Sequence, residues 1–141
     1  MENPKKYRVI PRQAELAVRV TGNSQADLFA SSGFALFDIM TNLDAVESKE
    51  NLPLEVDGND RDELLVNWMR ELLYLYQGSG YLLKEFVIQD VKDTKVKAEV
   101  RGEKIDPDRH EIKQEINAVA DHHGLMQQTG KQWTAQMILE V

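Results

Sequence analysis

The chain has 141 residues, 42% hydrophobic and 29% charged, so we expect one domain over residues 1–141 with a core of ordinary size. It contains no cysteine, which excludes disulfides, thiolate catalysis and zinc–thiolate sites. Its net charge of -7 opposes binding to a phosphate backbone, so we expect no direct contact with nucleic acid.

Hydropathy favours a cytoplasmic protein without membrane contact. The sequence has no run of about 18 apolar residues that could span a bilayer. The N-terminal stretch MENPKKYRV lacks the apolar middle of a signal peptide. We therefore expect the chain to work in the cytoplasm.

The first elements in chain order are two strands. Residues 6–10 form a short run that is expected to stop at Pro11, because proline cannot donate to a ladder. From Ala14 onward apolar residues alternate with others, which predicts a half-buried strand with Glu15 on the non-core face. The core face of this strand carries Leu16, Val18 and Val20.

Two helices are predicted, each beginning with a capping box. Ser24 and Asp27 mark the start of the first helix, and Asp60 and Glu63 mark the start of the second. The second helix runs to Gly80, which can supply a left-handed stop. Its apolar positions cover an arc of roughly 200°, about twice what a surface helix needs. We therefore expect this helix to be covered on more than one side.

Strand periodicity accounts for the remaining elements. One strand is predicted between the helices, at residues 52–56, and four follow the second helix, at 81–89, 96–100, 112–119 and 133–141. The order is therefore roughly β-β-α-β-α-β-β-β-β. Strands gathered after two helices predict an α+β fold, with the helices packed on one face of a largely antiparallel sheet.

The densest polar stretch is GEKIDPDRHEIK at residues 102–113. It is either a solvated connection or a docking and ion-organising loop, and the sequence alone leaves both open. In the second case the donors of three residues would suit phosphate or acidic acceptors on a partner. These candidate contact residues are Arg109, His110 and Lys113.

Three motifs resemble the archease family when they are taken together. They are ALFDIM at residues 35–40, LVNWMRELLYL at 65–75, close to the family pattern LVNWLNELLYL, and the polar stretch at 102–113. The match covers nearly the whole chain in order. It implies an accessory protein, not an enzyme, that activates a tRNA-splicing RNA ligase in tRNA processing. That ligase would be its protein partner and would bring GTP and RNA.

The same resemblance implies a metal-binding group formed by Glu15, Glu140 and Val141. Archeases typically carry His-Thr-Ala-Asp where this chain has RQAE at residues 12–15, and the final Asp of the family corresponds to Glu140. Val141 would add a main-chain or terminal oxygen, and such ligands suit a divalent cation, Ca²⁺ or Mg²⁺. Arg12 departs from the pattern by adding a permanent cation, and two exposed glutamates without any ligand are the alternative.

Two other functions stay open at this point. A metal-dependent hydrolase would use His110, Glu111 and the region of His122 and His123. Adjacent residues on a strand face opposite ways, so the His pair cannot chelate one ion without a bend. A chaperone-like module would instead bind partly folded proteins with little selectivity, whereas an adaptor would act on one ligase.

Overall fold

Two α-helices and eight strands form the regular structure of residues 6–120 and 126–141, which are the residues that the computed structural model describes. The helices are α1 (Gln25–Met40) and α2 (Arg61–Ser79). The strands are β1 (Tyr7–Arg12), β2 (Glu15–Gly22), β3 (Glu50–Asp57), β4 (Tyr81–Val91), β5 (Lys95–Lys104), β6 (Ala118–Val119), β7 (Met126–Thr129) and β8 (Gln132–Glu140). The predicted α+β class is confirmed. Neither helix in these ranges has the length and apolarity needed to cross a bilayer.

The strands divide between two antiparallel sheets. The larger sheet has the order β1-β2-β8-β6, with β7 also pairing with β8. The smaller sheet has the order β3-β5-β4. Both helices contact both sheets, α1 mainly through β2 and β4 and α2 through β3, β4, β5 and β6. This arrangement accounts for the wide apolar arc of α2 and confirms that it is covered on more than one side.

Both helix starts follow the capping pattern read from the sequence. The Ser24 hydroxyl accepts the Asp27 amide at 3.0 Å, and the Asp60 carboxylate accepts the Glu63 amide at 2.8 Å. At the other end of α2, Gly80 has a φ of 75°, which is the left-handed conformation that terminates a helix. Local sequence therefore sets where both helices begin and where α2 ends.

The centre of the core joins the two helices. Trp68 of α2 is fully buried, and its indole N–H donates to the carbonyl of Phe29 in α1 at 3.0 Å. The two rings lie 6.0 Å apart between centroids. Aromatic pairs at this distance add to the stabilisation from buried area. The helix pair is therefore a rigid support for the sheets on either side.

Two strand predictions were wrong in their extent. β1 continues through Pro11 to Arg12, because β1 is an edge strand and pairs with β2 alone, so a missing N–H can face the free edge. The strand predicted at 112–119 is reduced to a single bridge at Ile112 and the two residues of β6. Between these points the Lys113 amide donates to the carbonyl of Met40 at the end of α1, at 2.7 Å, and the Asn117 amide donates to the carbonyl of Glu140 in β8, also at 2.7 Å.

Candidate functional site

One end of the larger sheet brings together the residues to which the archease resemblance assigns a metal group. Glu15 in β2 and Glu140 in β8 are direct cross-strand partners. Arg12 of β1 is opposite Glu15, and Ala118 of β6 is opposite Glu140. Residues opposite one another in an antiparallel sheet point to the same face. Glu15 and Glu140, called the acidic pair from here on, therefore share one face with Arg12.

A strained turn holds the acidic pair in register. Ala14, in the turn between β1 and β2, has a φ of 60°, a left-handed conformation that is uncommon outside glycine. Its carbonyl accepts the Val141 amide at 3.2 Å. The chain therefore places Val141 beside the turn that precedes Glu15. Backbone strain of this kind persists only where the surroundings impose it, and it clusters at functional sites.

The acidic pair has an unbalanced local charge. Directly opposed residues have Cβ atoms about 5 Å apart, so two carboxylates in this position repel each other. Within residues 6–120 and 126–141, neither glutamate forms an ion pair, and Arg12 is the nearest cation along the row. A bound cation or a basic group from a partner would relieve the repulsion.

The carboxylate oxygens of the acidic pair meet only part of what a hard divalent cation requires. Carboxylate oxygens are the ligands that Ca²⁺ and Mg²⁺ prefer, but such ions take about six or more oxygens. The described residues contain no group of three or more His, Asp or Glu side chains that could hold a metal. Two glutamates alone would therefore leave most of such a coordination shell to main-chain oxygens, water or a partner.

The polar stretch at 102–113 forms a second cluster, which is buried. Glu103 of β5 is only 3% exposed, and its carboxylate accepts hydrogen bonds from Arg109 and from the Glu47 amide. The Lys49 ammonium lies 3.5 Å from the same carboxylate. Burial opposes ionisation of Glu103, but these partners outweigh it and lower the pKa to about 2. Glu103 is therefore a buried anion that holds the stretch to the sheet.

His110 lies inside this cluster with both ring nitrogens occupied. Its Nδ1 accepts the Asp106 amide at 2.9 Å, so its proton is on Nε2. Nε2 lies 3.0 Å from the carbonyl oxygen of Ala45 and 3.2 Å from the Glu103 carboxylate, both of which are acceptors. The ring therefore belongs to the fold, and it has no nitrogen free to bind a metal or a partner.

The other predicted contact residues lie at the surface. Arg109 keeps a side chain that is 37% exposed while it bonds to Glu103 and Asp106. Lys113 is exposed, with its backbone anchored to the end of α1. Of the three candidate contact residues, these two can reach a partner. Glu103 was not singled out from the sequence. The signal that could have indicated it is its spacing, since Glu103 lies six residues before Arg109 and seven before His110.

The hydrolase hypothesis loses its main ligand in this arrangement. His110 is committed within the fold, as described above. The Glu111 carbonyl accepts the Thr41 hydroxyl at 2.7 Å, and its side chain is exposed. His122 and His123 lie outside the described residues.

The fold and these clusters define a small α+β domain with a pair of opposed glutamates at one sheet end and a buried charged cluster in the polar stretch at 102–113. A sequence model described as the Archease protein family matches residues 7–141. The chain therefore belongs to the archease family.

Relatives of known name match over nearly the full length. Protein archease of Methanopyrus kandleri is 34% identical over 138 residues, covering 96% of this chain and 99% of that protein. Protein archease of Pyrococcus abyssi is 32% identical over 141 residues, covering 97% and 99%.

Two solved structures have a similar fold. The solution structure of Methanobacterium thermoautotrophicum protein 1598 matches with a TM-score of 0.83 and 26% identity, over 98% of this chain and 100% of that one. A crystal structure from Thermotoga maritima, described as "an archease, possible chaperone", matches with a TM-score of 0.62 over 100% and 98%. Its identity of 14% shows a shared fold alone.

Proposed function

We propose that this protein activates a tRNA-splicing RNA ligase by promoting guanylylation of the ligase's active-site histidine, and hence its multiple turnover. The observation that carries the proposal is the cross-strand pairing of Glu15 with Glu140, at the two positions where the archease resemblance implies ligands. Membership of the family over residues 7–141 supports it. The protein acts as a cytoplasmic accessory factor and not as an enzyme, and it meets GTP and RNA through the ligase.

In this proposal the acidic pair and two exposed basic residues have different roles. Glu15 and Glu140, with a main-chain oxygen of Val141, are the group that would hold Ca²⁺ or Mg²⁺. The cation would supply positive charge for phosphate oxygens. Arg109 and Lys113 supply exposed donors that suit phosphate or acidic side chains on the ligase.

The decisive experiment follows covalent guanylate on a cognate ligase supplied with radiolabelled GTP and Mg²⁺. Adding the protein is expected to raise the yield of guanylylated ligase, and Glu15→Gln with Glu140→Gln is expected to abolish that stimulation, because the acidic pair then carries no charge. Asp93→Asn is the control, since Asp93 is an exposed acid in the turn between β4 and β5. Stimulation that survives the double substitution would remove the acidic pair from the mechanism.

Selectivity separates an adaptor from a chaperone-like module. The same assay with an unrelated nucleotidyl-transferring ligase is expected to show no stimulation. Equal stimulation of both ligases would favour the chaperone-like reading. Release of phosphate or cleavage of RNA by the pure protein, with metal and without any ligase, would favour the hydrolase.

Arg12→Gln is expected to tighten Ca²⁺ binding at the acidic pair by about 3- to 10-fold. A unit charge about 6 Å from the site repels a cation by roughly 1 kcal/mol or more in a water-like medium. The gain is expected to shrink as salt rises from about 20 to about 200 mM, because screening weakens exposed charges. Calorimetric titration with Ca²⁺ measures both effects.

Arg8→Gln is the matched control for that substitution. Arg8 is exposed on the same face of β1 but lies four residues from Arg12, roughly 13 Å along the strand. A change of less than about twofold is expected at about 100 mM salt, since this distance then exceeds the screening length of about 10 Å. Equal effects of the two substitutions would show that no cation binds beside Arg12.

A further inference from the structure

The segment at residues 116–119 is attached to the larger sheet by very few ladder contacts. β6 has two residues, which pair with β8 only at Ala118 with Glu140 and at Val119 with Leu139. The Asn117 amide also donates to the Glu140 carbonyl, at 2.7 Å. A two-residue strand gains little from its own ladder. The residue that this segment bonds most closely is therefore one member of the acidic pair.

The carbonyls on the other side of the segment are held by side chains of α2. Arg70 donates twice to the carbonyl of Val119, through Nε at 3.1 Å and an Nη at 3.0 Å. The Gln77 amide donates to the carbonyls of Ile116 at 3.2 Å and Asn117 at 3.0 Å. Arg70 and Gln77 are seven residues apart, about two turns, so they project from one face of the helix.

We propose that Arg70 and Gln77 are positioning residues for the acidic pair. They hold the segment at 116–119 against β8, and the segment in turn holds Glu140 opposite Glu15. Without these donors β8 would keep β2 as its one firm neighbour at this end, and the short β6 would open. The part of this proposal that concerns cation binding by the acidic pair rests on the proposed function.

The contact made by Arg70 directs two donors at a single carbonyl. Arg70 stands where the family pattern LVNWLNELLYL has Asn, and a guanidinium can place two donors on one carbonyl. Hydrogen bonds from charged donors are stronger than neutral ones, and they tolerate partial exposure. A rigid helix with a buried face is thus coupled to the sheet end that carries the acidic pair.

The test uses Arg70→Met and Gln77→Met, singly and together, in the full chain. Methionine keeps an apolar stem and removes the donors. Amide hydrogen exchange measured by NMR is expected to rise at least 10-fold at Asn117 and at Val141 in the double variant. Val141 is the informative amide, because it bonds to Ala14 and reports the alignment of the acidic pair. The affinity for Ca²⁺ alone is expected to fall at least 10-fold in parallel.

Two comparison variants separate positioning from general destabilisation. Arg70→Lys keeps the charge with a single donor group and is expected to restore part of the protection and part of the affinity. Val56→Ala removes buried volume from β3, in the smaller sheet, and is expected to lower the overall stability. In that variant the amides of Asn117 and Val141 are expected to lose no more protection from exchange than the amides of β5 lose.

The outcomes bear on the two proposals differently. Protection of Val141 that survives the double substitution would overturn the positioning role, whatever happens at Asn117. If exchange at Val141 is faster but the Ca²⁺ affinity is unchanged, Arg70 and Gln77 do not position the acidic pair for binding a cation. A wild-type protein that binds no Ca²⁺ would count against the cation in the proposed function, and the Val141 exchange would then decide the positioning role by itself.

Discussion

Arg109→Gln is expected to lower the free energy of unfolding at neutral pH by more than neutralising Glu103 does, because it leaves the buried Glu103 carboxylate charged and without its strongest partner. Glu103 is 4% exposed at its side chain and Arg109 is 37% exposed. A carboxylate in that position cannot turn to water, and Lys49 at 3.5 Å compensates only part of the lost charge. Urea denaturation of the wild-type protein and of the Arg109→Gln variant measures this difference in the free energy of unfolding.

The reverse substitution is expected to be milder. Glu103→Gln removes the buried charge itself, and the orphaned Arg109 can rotate into solvent, so a loss of about 2–3 kcal/mol is expected. The double variant is expected to lose less than the sum of the two, since both changes break one interaction. A Glu103→Gln loss that equals or exceeds that of Arg109→Gln would show that the cluster is not organised around a buried anion.

The pH profile gives a second readout of the same cluster. The pKa of Glu103 is lowered from 4.5 to about 2, so the folded protein binds fewer protons than the unfolded chain between these values. The stability from this group is fully present above about pH 5 and is lost as the pH falls toward 2. It amounts to roughly 3 kcal/mol. The free energy of unfolding of the Glu103→Gln variant is therefore expected to fall less steeply than that of the wild-type protein as the pH drops toward 2.

The elements that the sequence predicted correctly are those with local signals. Asp60 with Glu63 and Ser24 with Asp27 cap helices through bonds across three residues, and these bonds are visible as a spacing in the sequence. The acidic pair was a different case. The alternation of each strand placed Glu15 and Glu140 off the core face, but only the family resemblance brought the two strands together. The structure shows them as direct cross-strand partners.

The buried cluster could not be read from the sequence because its partners are distant in the chain. His110 is bonded by Asp106, which is near, but also by Ala45, which is 65 residues away. A polar run of this composition is usually solvated, and here the segment at 45–49, which follows α1, contacts its buried members. The strand predicted at 112–119 is too long for the same reason, because much of its backbone bonds to a helix end and to two helix side chains, and only β6 keeps ladder pairs with β8.

Among the glycines in the part of the chain that the structure describes, Gly102→Ala is expected to be the most damaging methyl addition, with a loss of more than about 3 kcal/mol. A Cβ at this position would overlap the carbonyl oxygen of Leu82 and lie 2.8 Å from the Cα of Leu83. Both atoms belong to the backbone of β4, so no side chain can move aside. The register shift between Leu83 and Glu85 lets β4 approach β5 closely there, and only a residue without a side chain permits it.

Gly78→Ala is the control that separates this backbone clash from a general intolerance of added volume. Its Cβ would lie 3.3 Å from the ring of Tyr74, a side chain that is 63% exposed and can move. Alanine is also the better helix former by about 1 kcal/mol, so a neutral or stabilising result is expected. Because the Gly102 clash is steric, its loss in urea denaturation is expected to be equal at pH 7 and pH 3, unlike that of Glu103→Gln. A Gly102→Ala loss that fades on acidification would mean that the methyl group acts by displacing Glu103 and not by separating the strands.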